Sequence, residues 1–257
     1  MKLSIVIPAY NEEARLGNML ADYTKYFSGK YGEDMEMIIV VNGSRDRTAE
    51  IAEEWAEKFP QIRVIVEPSP IGKGGAVIRG FEVARGEFVG FVDADAATPP
   101  EAYQDLVEHI GDAGAIIASR WLKESKVSPK QPASRLVASR VFNALIRLLF
   151  GLKIHDTQCG AKLMRNDAVR KVMPELGLTR WAFDVDLLFQ LRRSGYEVIE
   201  RPTTWRDVEG SRLQVVRVSI EMFLAICRLR LIYSPFNWVV KAYDVTLGPI
   251  IHLRERT

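Results

Sequence analysis

The sequence predicts an α/β fold with a mostly parallel, doubly wound sheet flanked by helices. Short apolar runs of strand length alternate with stretches of helical period, and each early run ends in polar or glycine residues. The chain has 257 residues, of which 47% are hydrophobic and 26% charged, as in globular proteins. Such alternation is typical of βαβ units joined by right-handed crossovers.

The predicted elements follow one another along the chain. We predict strands at residues 3–7, 37–41, 63–67, 88–92, 115–119 and 197–200. We predict helices at about 13–26, up to 59, up to 84, from 99 onward, and at 134–151 and 215–233. Thr98 and Glu101 have the spacing of a capping box, so Thr98 is predicted to cap the helix that Pro99 begins.

Two carboxylates follow the predicted strand 88–92. Asp93 and Asp95 are two residues apart, so on an extended chain they point to the same face and can converge on one cation. Ligands of open α/β sheets lie beyond the carboxyl ends of the strands. Two carboxylates there suit Mn²⁺ or Mg²⁺ holding a diphosphate. Taken alone, such a pair of acids is more typical of a solvated turn, and it is the motifs before and after it that favour a metal site.

Residues 72–75, Gly-Lys-Gly-Gly, also follow a predicted strand. They resemble a phosphate-binding loop but match neither the Walker A motif nor the dinucleotide fingerprint, and an ordinary strand–helix turn explains them as well. No glycine fingerprint follows the first strand, which argues against a dinucleotide enzyme.

The charge distribution is uneven although the net charge is only +2. Residues 120–153 contain eight basic residues and one acid, Glu124. This surplus indicates an anionic partner. No aromatic–basic recognition motif supports nucleic acid, so we expect phosphate groups or a membrane surface. Asp184 and Asp186 stand among apolar residues, where an acid without a partner is costly, and they are either functional or part of structural ion pairs.

Several short motifs together resemble the family-2 inverting glycosyltransferases of the GT-A fold. They occur in that family's order: Pro8-x-Tyr10-Asn11-Glu12, Gly43-Ser44-x-Asp46-x-Thr48, Gly72-Lys73-Gly74, Asp93-Ala94-Asp95 and Ser119-Arg120. Residues 156–162 and 181–186 are similar to the branch that contains dolichyl-phosphate β-glucosyltransferases, and dolichol-phosphate mannose synthases share the general plan. The resemblance extends from residue 3 to about residue 212.

The resemblance implies that a hexose moves from UDP-glucose or GDP-mannose to a polyprenyl or dolichyl monophosphate. It places the metal on Asp93 and Asp95. The nucleotide-sugar site would comprise Pro8, Tyr10, Asn11, Glu12, Asn42, Asp46, Gly72, Lys73, Asp93, Ala94 and Asp95. Asn42 stands where many relatives carry acids that contact the nucleoside, which leaves recognition of the base open. Ala97 stands where mannose synthases often have a metal-associated glutamine, which indicates either the glucosyl branch or a changed set of metal ligands.

The acceptor determines whether a base is needed. A phosphate monoester with a second pKa of about 6 is already mostly dianionic at neutral pH, so it needs positioning more than deprotonation. We assign this task to arginines, whose guanidinium groups match phosphate: Arg120, Arg135, Arg206 and Arg212. A glycan hydroxyl as acceptor would instead need a base, for which Asp184 or Asp186 is the candidate. A non-catalytic nucleotide-sugar or lipid-binding module is a further alternative.

We expect residues 1–213 to form the GT-A domain and residues 214–257 to form an amphipathic helical segment. The helix 134–151 and the later segment mix apolar residues with arginines, which suits a membrane interface, although closing the core would need the same pattern. No stretch approaches about 18 apolar residues, so no transmembrane helix is predicted. Two cysteines fit a reducing compartment. We therefore expect a peripheral protein on the cytoplasmic side of a membrane.

Overall fold

A computed structural model describes residues 1–129, 133–177, 182–206, 215–238 and 240, without the side chains of 133–135 and 215–220. Its centre is a seven-stranded sheet in the order β3-β2-β1-β4-β7-β5-β8. These strands are β1 (Leu3–Ala9), β2 (Met35–Asn42), β3 (Ile62–Glu67), β4 (Phe88–Val92), β5 (Ala115–Ser119), β7 (Ala161–Arg165) and β8 (Val198–Pro202). Only β7 runs antiparallel to its neighbours. Two short strands, β6 (Lys126–Ser128) and β9 (Thr204–Arg206), form a separate parallel pair.

Helices cover both faces of the sheet. They are α1 (Leu16–Tyr31), α2 (Thr48–Lys58), α3 (Gly72–Val83), α4 (Pro100–His109), α5 (Ala133–Phe150), α6 (Asn166–Val172), α7 (Phe183–Arg193) and α8 (Val215–Ile232). Side chains alternate along a strand, so β1 directs Ile5 and Ile7 to the core beneath α1, α2 and α4, and Val6 to the core beneath α3, α6 and α7. The predicted mostly parallel, helix-flanked sheet is confirmed.

A third apolar cluster joins α5, α7 and α8 beside the end of β5. Its buried members include Ile117, Ile146, Leu188, Ile226 and Leu229. The inner faces of α5 and α8 therefore close the core, which is one of the two interpretations that the sequence left open. In the part of the chain that the structure describes, every helix is too short or too polar to span a bilayer.

Several details differ from the sequence prediction, which also lacked β6, β9, α6 and α7. Strand β7 was missed, because Lys162 at its second position interrupts the apolar pattern. The Thr98 cap is wrong: α4 begins at Pro100 without a side-chain cap, and the Thr98 carbonyl accepts a hydrogen bond from the Tyr23 hydroxyl at 2.9 Å. Helix α1 begins at Leu16, later than expected, because the preceding residues fold into a loop.

Candidate active site

The carboxyl ends of β1, β2 and β4 bring three polar loops to one edge of the sheet. The loop after β1 is tied to the loop after β2 by hydrogen bonds. The Asn11 N–H donates to Ser44 Oγ at 3.0 Å, and the Arg45 N–H donates to Asn11 Oδ1 at 2.9 Å. The Glu12 N–H donates to Thr48 Oγ1 at 2.8 Å. Asn11 holds a positive φ of 54°, which asparagine tolerates better than most residues. These contacts make Asn11 part of the scaffold of the site.

Asp46 has the same scaffolding role. Its carboxylate accepts hydrogen bonds from the Glu13 N–H at 3.1 Å and from both the N–H and the hydroxyl of Thr48. Burial by itself raises the pKa of Asp46, but the hydrogen bonds from Thr48 and Glu13 outweigh it and lower the pKa. Asp46 is therefore an ionised anchor between the two loops.

Three other predicted donor-site residues line or support this edge. Tyr10 is half exposed at the end of the first loop. The buried Asn42 accepts a hydrogen bond from the Ile71 N–H at 2.7 Å, so it positions the start of α3 at Gly72. Pro8 lies within β1 opposite Val40. The ring of Tyr10 is thus available for contact, whereas Asn42 acts through the backbone before Lys73.

Lys73, in the first turn of α3, reaches the acids after β4. Its ammonium group lies 2.6 Å from Asp93 Oδ1 and 5.3 Å from the centre of the Phe91 ring. Burial lowers the pKa of Lys73, but the charges of Asp93, Asp184 and Asp95 outweigh it and raise the pKa above its ordinary value. Helix α3 comes this close because residue 74 is glycine: a Cβ there would lie 2.5 Å from Phe183.

The acids Asp93 and Asp95 lie in a turn that includes Ala94, rather than on an extended strand as the same-face prediction assumed. The Asp93 N–H donates to the Gly160 carbonyl at 3.1 Å. A Cβ on Gly160 would lie 2.0 Å from Asp93 Oδ2, so only glycine allows this approach. Asp95 accepts a hydrogen bond from the Ala97 N–H at 3.0 Å. The turn thus fixes both carboxylates beside the loop before β7.

Negative charge accumulates at this turn. Burial raises the pKa of Asp95, and the charge of Asp93 raises it further. Burial also raises the pKa of Glu12, although Arg15 opposes this at 2.6 Å, and Asp95 and Asp93 add to the increase. Carboxylates crowded in this way favour a cation.

Asp93 and Asp95 could supply two oxygen ligands to a divalent cation. Within the described residues, no group of three or more His, Cys, Asp or Glu side chains is arranged to hold a metal. Mg²⁺ is commonly bound through one or two carboxylates together with substrate phosphates, and the pair Asp93 and Asp95 suits that mode. The acids after β4 are thus able to hold a metal when a diphosphate supplies further oxygen ligands.

Asp184 faces the same edge from the first turn of α7. The fully buried Lys162 lies 2.5 Å from Asp184 Oδ1 and also donates to the Cys159 carbonyl at 2.7 Å. Burial raises the pKa of Asp184, but Lys162 and then Lys73 outweigh it, so the pKa lies below its ordinary value. Asp184 is therefore an ionised carboxylate already engaged by a lysine.

Asp186 is separated from Asp184. Residues two apart on a helix point to different sides. Asp186 accepts hydrogen bonds from the Tyr233 hydroxyl at 2.7 Å and from the Gly177 N–H at 2.9 Å. It thus connects α7 to the end of α8, whereas Asp184 faces Lys162.

Arg120 follows β5 and is held by Asp156. Its Nε and Nη2 atoms donate to the two carboxylate oxygens at 2.7 and 2.9 Å, and its backbone N–H donates to Oδ2 at 3.0 Å. The guanidinium group also lies over the ring of the buried Trp205 at 5.0 Å. Because Asp156 takes only one edge of the guanidinium fork, the Nη1 edge can still donate to an anion.

Arg206 lies next to the acidic turn, since its backbone N–H donates to the Ala97 carbonyl at 2.8 Å. Its side chain is exposed. The side chain of Arg135 and all of Arg212 lie outside the described residues, so the structure places neither. The sequence predicted no separate role for Asp156, Gly160 or Lys162. A lysine inside an otherwise apolar segment was the signal that could have identified Lys162.

Comparison with known proteins gives the family. The model of Glycosyl transferase family 2 matches residues 4–173. The chain belongs to glycosyl transferase family 2. A dolichyl-phosphate beta-glucosyltransferase of Dictyostelium discoideum is 35% identical over 252 residues, which cover 93% of this chain and 77% of that protein. The Saccharomyces cerevisiae dolichyl-phosphate beta-glucosyltransferase is 32% identical over 250 residues, covering 90% and 75%.

Solved structures of other proteins share the architecture of this family-2 chain. The mannosyltransferase PcManGT of Pyrobaculum calidifontis, in complex with GDP-Man and Mn²⁺, has a TM-score of 0.61 and 18% identity, covering 96% of this chain and 71% of that one. Glucosyl-3-phosphoglycerate synthase of Mycobacterium tuberculosis, in complex with Mn²⁺, UDP and phosphoglyceric acid, has a TM-score of 0.67 and 18% identity, covering 89% and 78%. The expected GT-A fold is confirmed.

Proposed function

We propose that this family-2 transferase moves glucose from UDP-glucose to the phosphate of a dolichyl or other polyprenyl monophosphate, with inversion. The observation that carries the proposal is the state of the two acids of α7. Lys162 engages Asp184 and lowers its pKa, and Asp186 is bonded to Tyr233. A general base works best with a pKa near the operating pH. Acids held in this way support an acceptor that is already ionised, as a phosphate monoester is.

The relatives support the donor and the acceptor. Both eukaryotic relatives described above are named dolichyl-phosphate beta-glucosyltransferases, which favours glucose over mannose. GDP-mannose is the alternative donor, because a neighbour of the same fold binds GDP-Man. We assign the base and ribose to the loop with Tyr10 and Glu12, and the diphosphate to Lys73.

The donor diphosphate is proposed to lie against Asp93, Asp95 and Lys73. Asp93 and Asp95 would hold Mn²⁺ or Mg²⁺, which would supply Lewis-acid neutralisation of the charge on the departing nucleoside diphosphate. Lys73 adds a point charge on the same oxygens. An acceptor phosphate oxygen attacks the anomeric carbon while the bond from that carbon to the diphosphate oxygen breaks, and the diphosphate leaves with the electron pair. No proton is transferred in this step.

The acceptor phosphate is assigned to the arginines beside this turn. Arg120 presents its Nη1 edge while Asp156 holds its orientation, and Arg206 lies next to Ala97. Arg135 and Arg212 stay part of the proposal because guanidinium groups match phosphate oxygens. When the acceptor phosphate and the donor are both held in the site, their reaction becomes effectively unimolecular and correctly oriented.

The lipid chain is proposed to lie along a membrane surface that meets the outer sides of α5 and α8. Val137, Val141 and Leu148 are exposed and fall on one side of α5, because their spacings of 4 and 7 residues are helical repeats. Phe223, Phe236 and Trp238 are also exposed. Exposed Arg140 and Arg147 accompany the apolar residues of α5, as expected of a peripheral helix on anionic lipid.

A transfer assay tests the proposal. Purified protein with Mn²⁺ receives radiolabelled UDP-glucose or GDP-mannose, and either polyprenyl phosphate or free oligosaccharides as acceptor. We expect glucose on polyprenyl phosphate, and loss of about 100-fold or more in Asp95→Ala. The variant Asp105→Ala, which removes an ion pair with Arg201 on the outside of α4, serves as the control and retains activity. Transfer to oligosaccharides alone, binding of donor without transfer, or full activity of Asp95→Ala would contradict the proposal.

A further inference from the structure

A buried asparagine connects α5 to the loop that holds Arg120. Asn143 is 2% exposed. Its Oδ1 accepts hydrogen bonds from the Thr157 N–H at 3.0 Å and the Thr157 hydroxyl at 2.9 Å. Its Nδ2 donates to the Ser139 carbonyl at 3.0 Å, within the same helix. A buried amide with donors and acceptors engaged at once fixes one local geometry, because any shift leaves a buried polar group unpaired.

Thr157 belongs to a loop, residues 155–160, whose other contacts lead into the candidate active site. The neighbouring Asp156 accepts the hydrogen bonds of the Arg120 guanidinium, and its own N–H donates to Glu200 Oε1 at 3.1 Å. The Gly160 carbonyl accepts from the Asp93 N–H. One short loop therefore contacts α5, the arginine assigned to the acceptor and an acid assigned to the metal.

We propose that Asn143 is a positioning residue that sets the guanidinium of Arg120 for the acceptor phosphate; this inference rests on the proposed function. The phosphate of a lipid lies at a depth fixed by the membrane surface, so the group that receives it must be held at a matching depth. Helix α5 exposes Val141 on its outer side and directs Asn143 inward. The bond from Asn143 to Thr157 thus fixes the distance between the lipid-facing side of α5 and Arg120.

The variant Asn143→Leu replaces the amide by an apolar side chain of similar size, and so removes the acceptor atom for both Thr157 donors. We expect its KM for polyprenyl phosphate to rise about 10- to 100-fold, with the KM for UDP-glucose unchanged, because only the acceptor contact is displaced. Calorimetric binding of farnesyl phosphate, without donor, should weaken by a similar factor. Asn143→Asp keeps an oxygen that accepts from Thr157 but loses the donor to the Ser139 carbonyl, so it should recover part of the acceptor affinity.

A matched control separates positioning from loss of stability. Asn166 donates from Nδ2 to the Gly86 carbonyl at 2.7 Å, at the sheet edge opposite the site. Asn166→Leu should lower the melting temperature without changing the KM for acceptor. An unchanged acceptor KM in folded Asn143→Leu would overturn the inference.

Two further results, a variant that does not fold and a wild-type protein without activity, also bear on the inference. If Asn143→Leu does not fold, Thr157→Val, which removes one donor, must show the same acceptor-specific rise for the inference to stand. Wild-type protein that transfers no glucose to polyprenyl phosphate and binds no farnesyl phosphate overturns the proposed function, and this inference with it.

Discussion

The ammonium group of Lys73 lies 2.6 Å from Asp93 Oδ1, so the lysine assigned to the diphosphate is paired with an acid assigned to the metal. A cation that binds Asp93 must therefore compete with Lys73. A diphosphate offers Lys73 a new partner, since its oxygens carry the charge that the carboxylate supplied. Metal and donor are thus expected to bind better together than either does alone.

Replacing Lys73 tests that competition. In Lys73→Met, we expect kcat/KM for UDP-glucose to fall about 100-fold, because a charge on the leaving diphosphate is lost. Mn²⁺ binding without nucleotide, followed by electron paramagnetic resonance of free Mn²⁺, should become tighter because Asp93 is released. Lys30→Met, which breaks an exposed pair with Glu108, is the matched control and should change neither quantity. Weaker Mn²⁺ binding in Lys73→Met would contradict the competition.

The pair of Lys162 and Asp184 predicts a large effect on stability. Removing Lys162 leaves a buried carboxylate without its nearest cation, so Lys162→Met should lower the free energy of unfolding by about 3–5 kcal/mol in urea denaturation. The double variant with Asp184→Asn should lose less than Lys162→Met alone. A loss below about 1 kcal/mol in the single variant would show that the pair contributes little.

The same pair predicts a dependence on pH. The pKa of Asp184 is lower in the folded protein than the ordinary value of about 3.9. The unfolded state therefore binds the proton more readily, so the stabilisation is complete above about pH 4 and is lost as the pH falls through the lowered folded pKa. Asp184→Asn should flatten this acidic decrease in urea denaturation series. An unchanged acidic slope would mean that other carboxylates cause the decrease.

Adding a methyl group at Gly160 should impair the site without unfolding the protein. A methyl group at this position would overlap Asp93 Oδ2, so Gly160→Ala must displace the carboxylate or the loop. We expect kcat to fall about 100-fold in a protein that still folds. Gly29→Ala, at an exposed position of α1, serves as the control, because a Cβ there meets nothing within 4 Å among the residues that the structure describes. Circular dichroism checks the fold, and wild-type turnover in Gly160→Ala would refute the close approach.

The outer side of α5 predicts membrane binding. Val141→Glu with Leu148→Glu places charge on the exposed apolar residues, so co-flotation with anionic liposomes should fall about tenfold. Val66→Glu, on the exposed side of β3 at the far edge of the sheet, is a control with a similar change of surface. Equal flotation of all three proteins would count against α5 as the contact.

The sequence predicted most strands of the sheet and the pair of acids after β4 because both depend on local patterns. An apolar run followed by Asp93 and Asp95 is visible in a few residues. The division of labour between Asp184 and Asp186 was not visible, since it depends on α7 being a helix and on two partners remote in sequence, Lys162 and Tyr233. The prediction that Thr98 caps α4 failed because a capping-box spacing does not show that tertiary packing buries this residue.

Arg120 shows the same limit for the acceptor site. Its sequence position indicated phosphate binding, but its partner Asp156 lies 36 residues away and is brought close only by the antiparallel course of β7. Since β7 runs opposite to its neighbours, the loop before it reaches the edge where the parallel strands end. Because the sequence prediction lacked β7, it could not place Asp156 there.

The hydrogen bond from Tyr233 to Asp186 joins the residue that follows α8 to α7, the helix that carries both candidate acids. A protein cut short before α8 would open the side of α7 to water and leave Asp186 without that donor. Trimming this family-2 transferase just before α8 would thus uncover apolar side chains of α5 and α7, and such a fragment would be a poor substitute for the whole chain in assays.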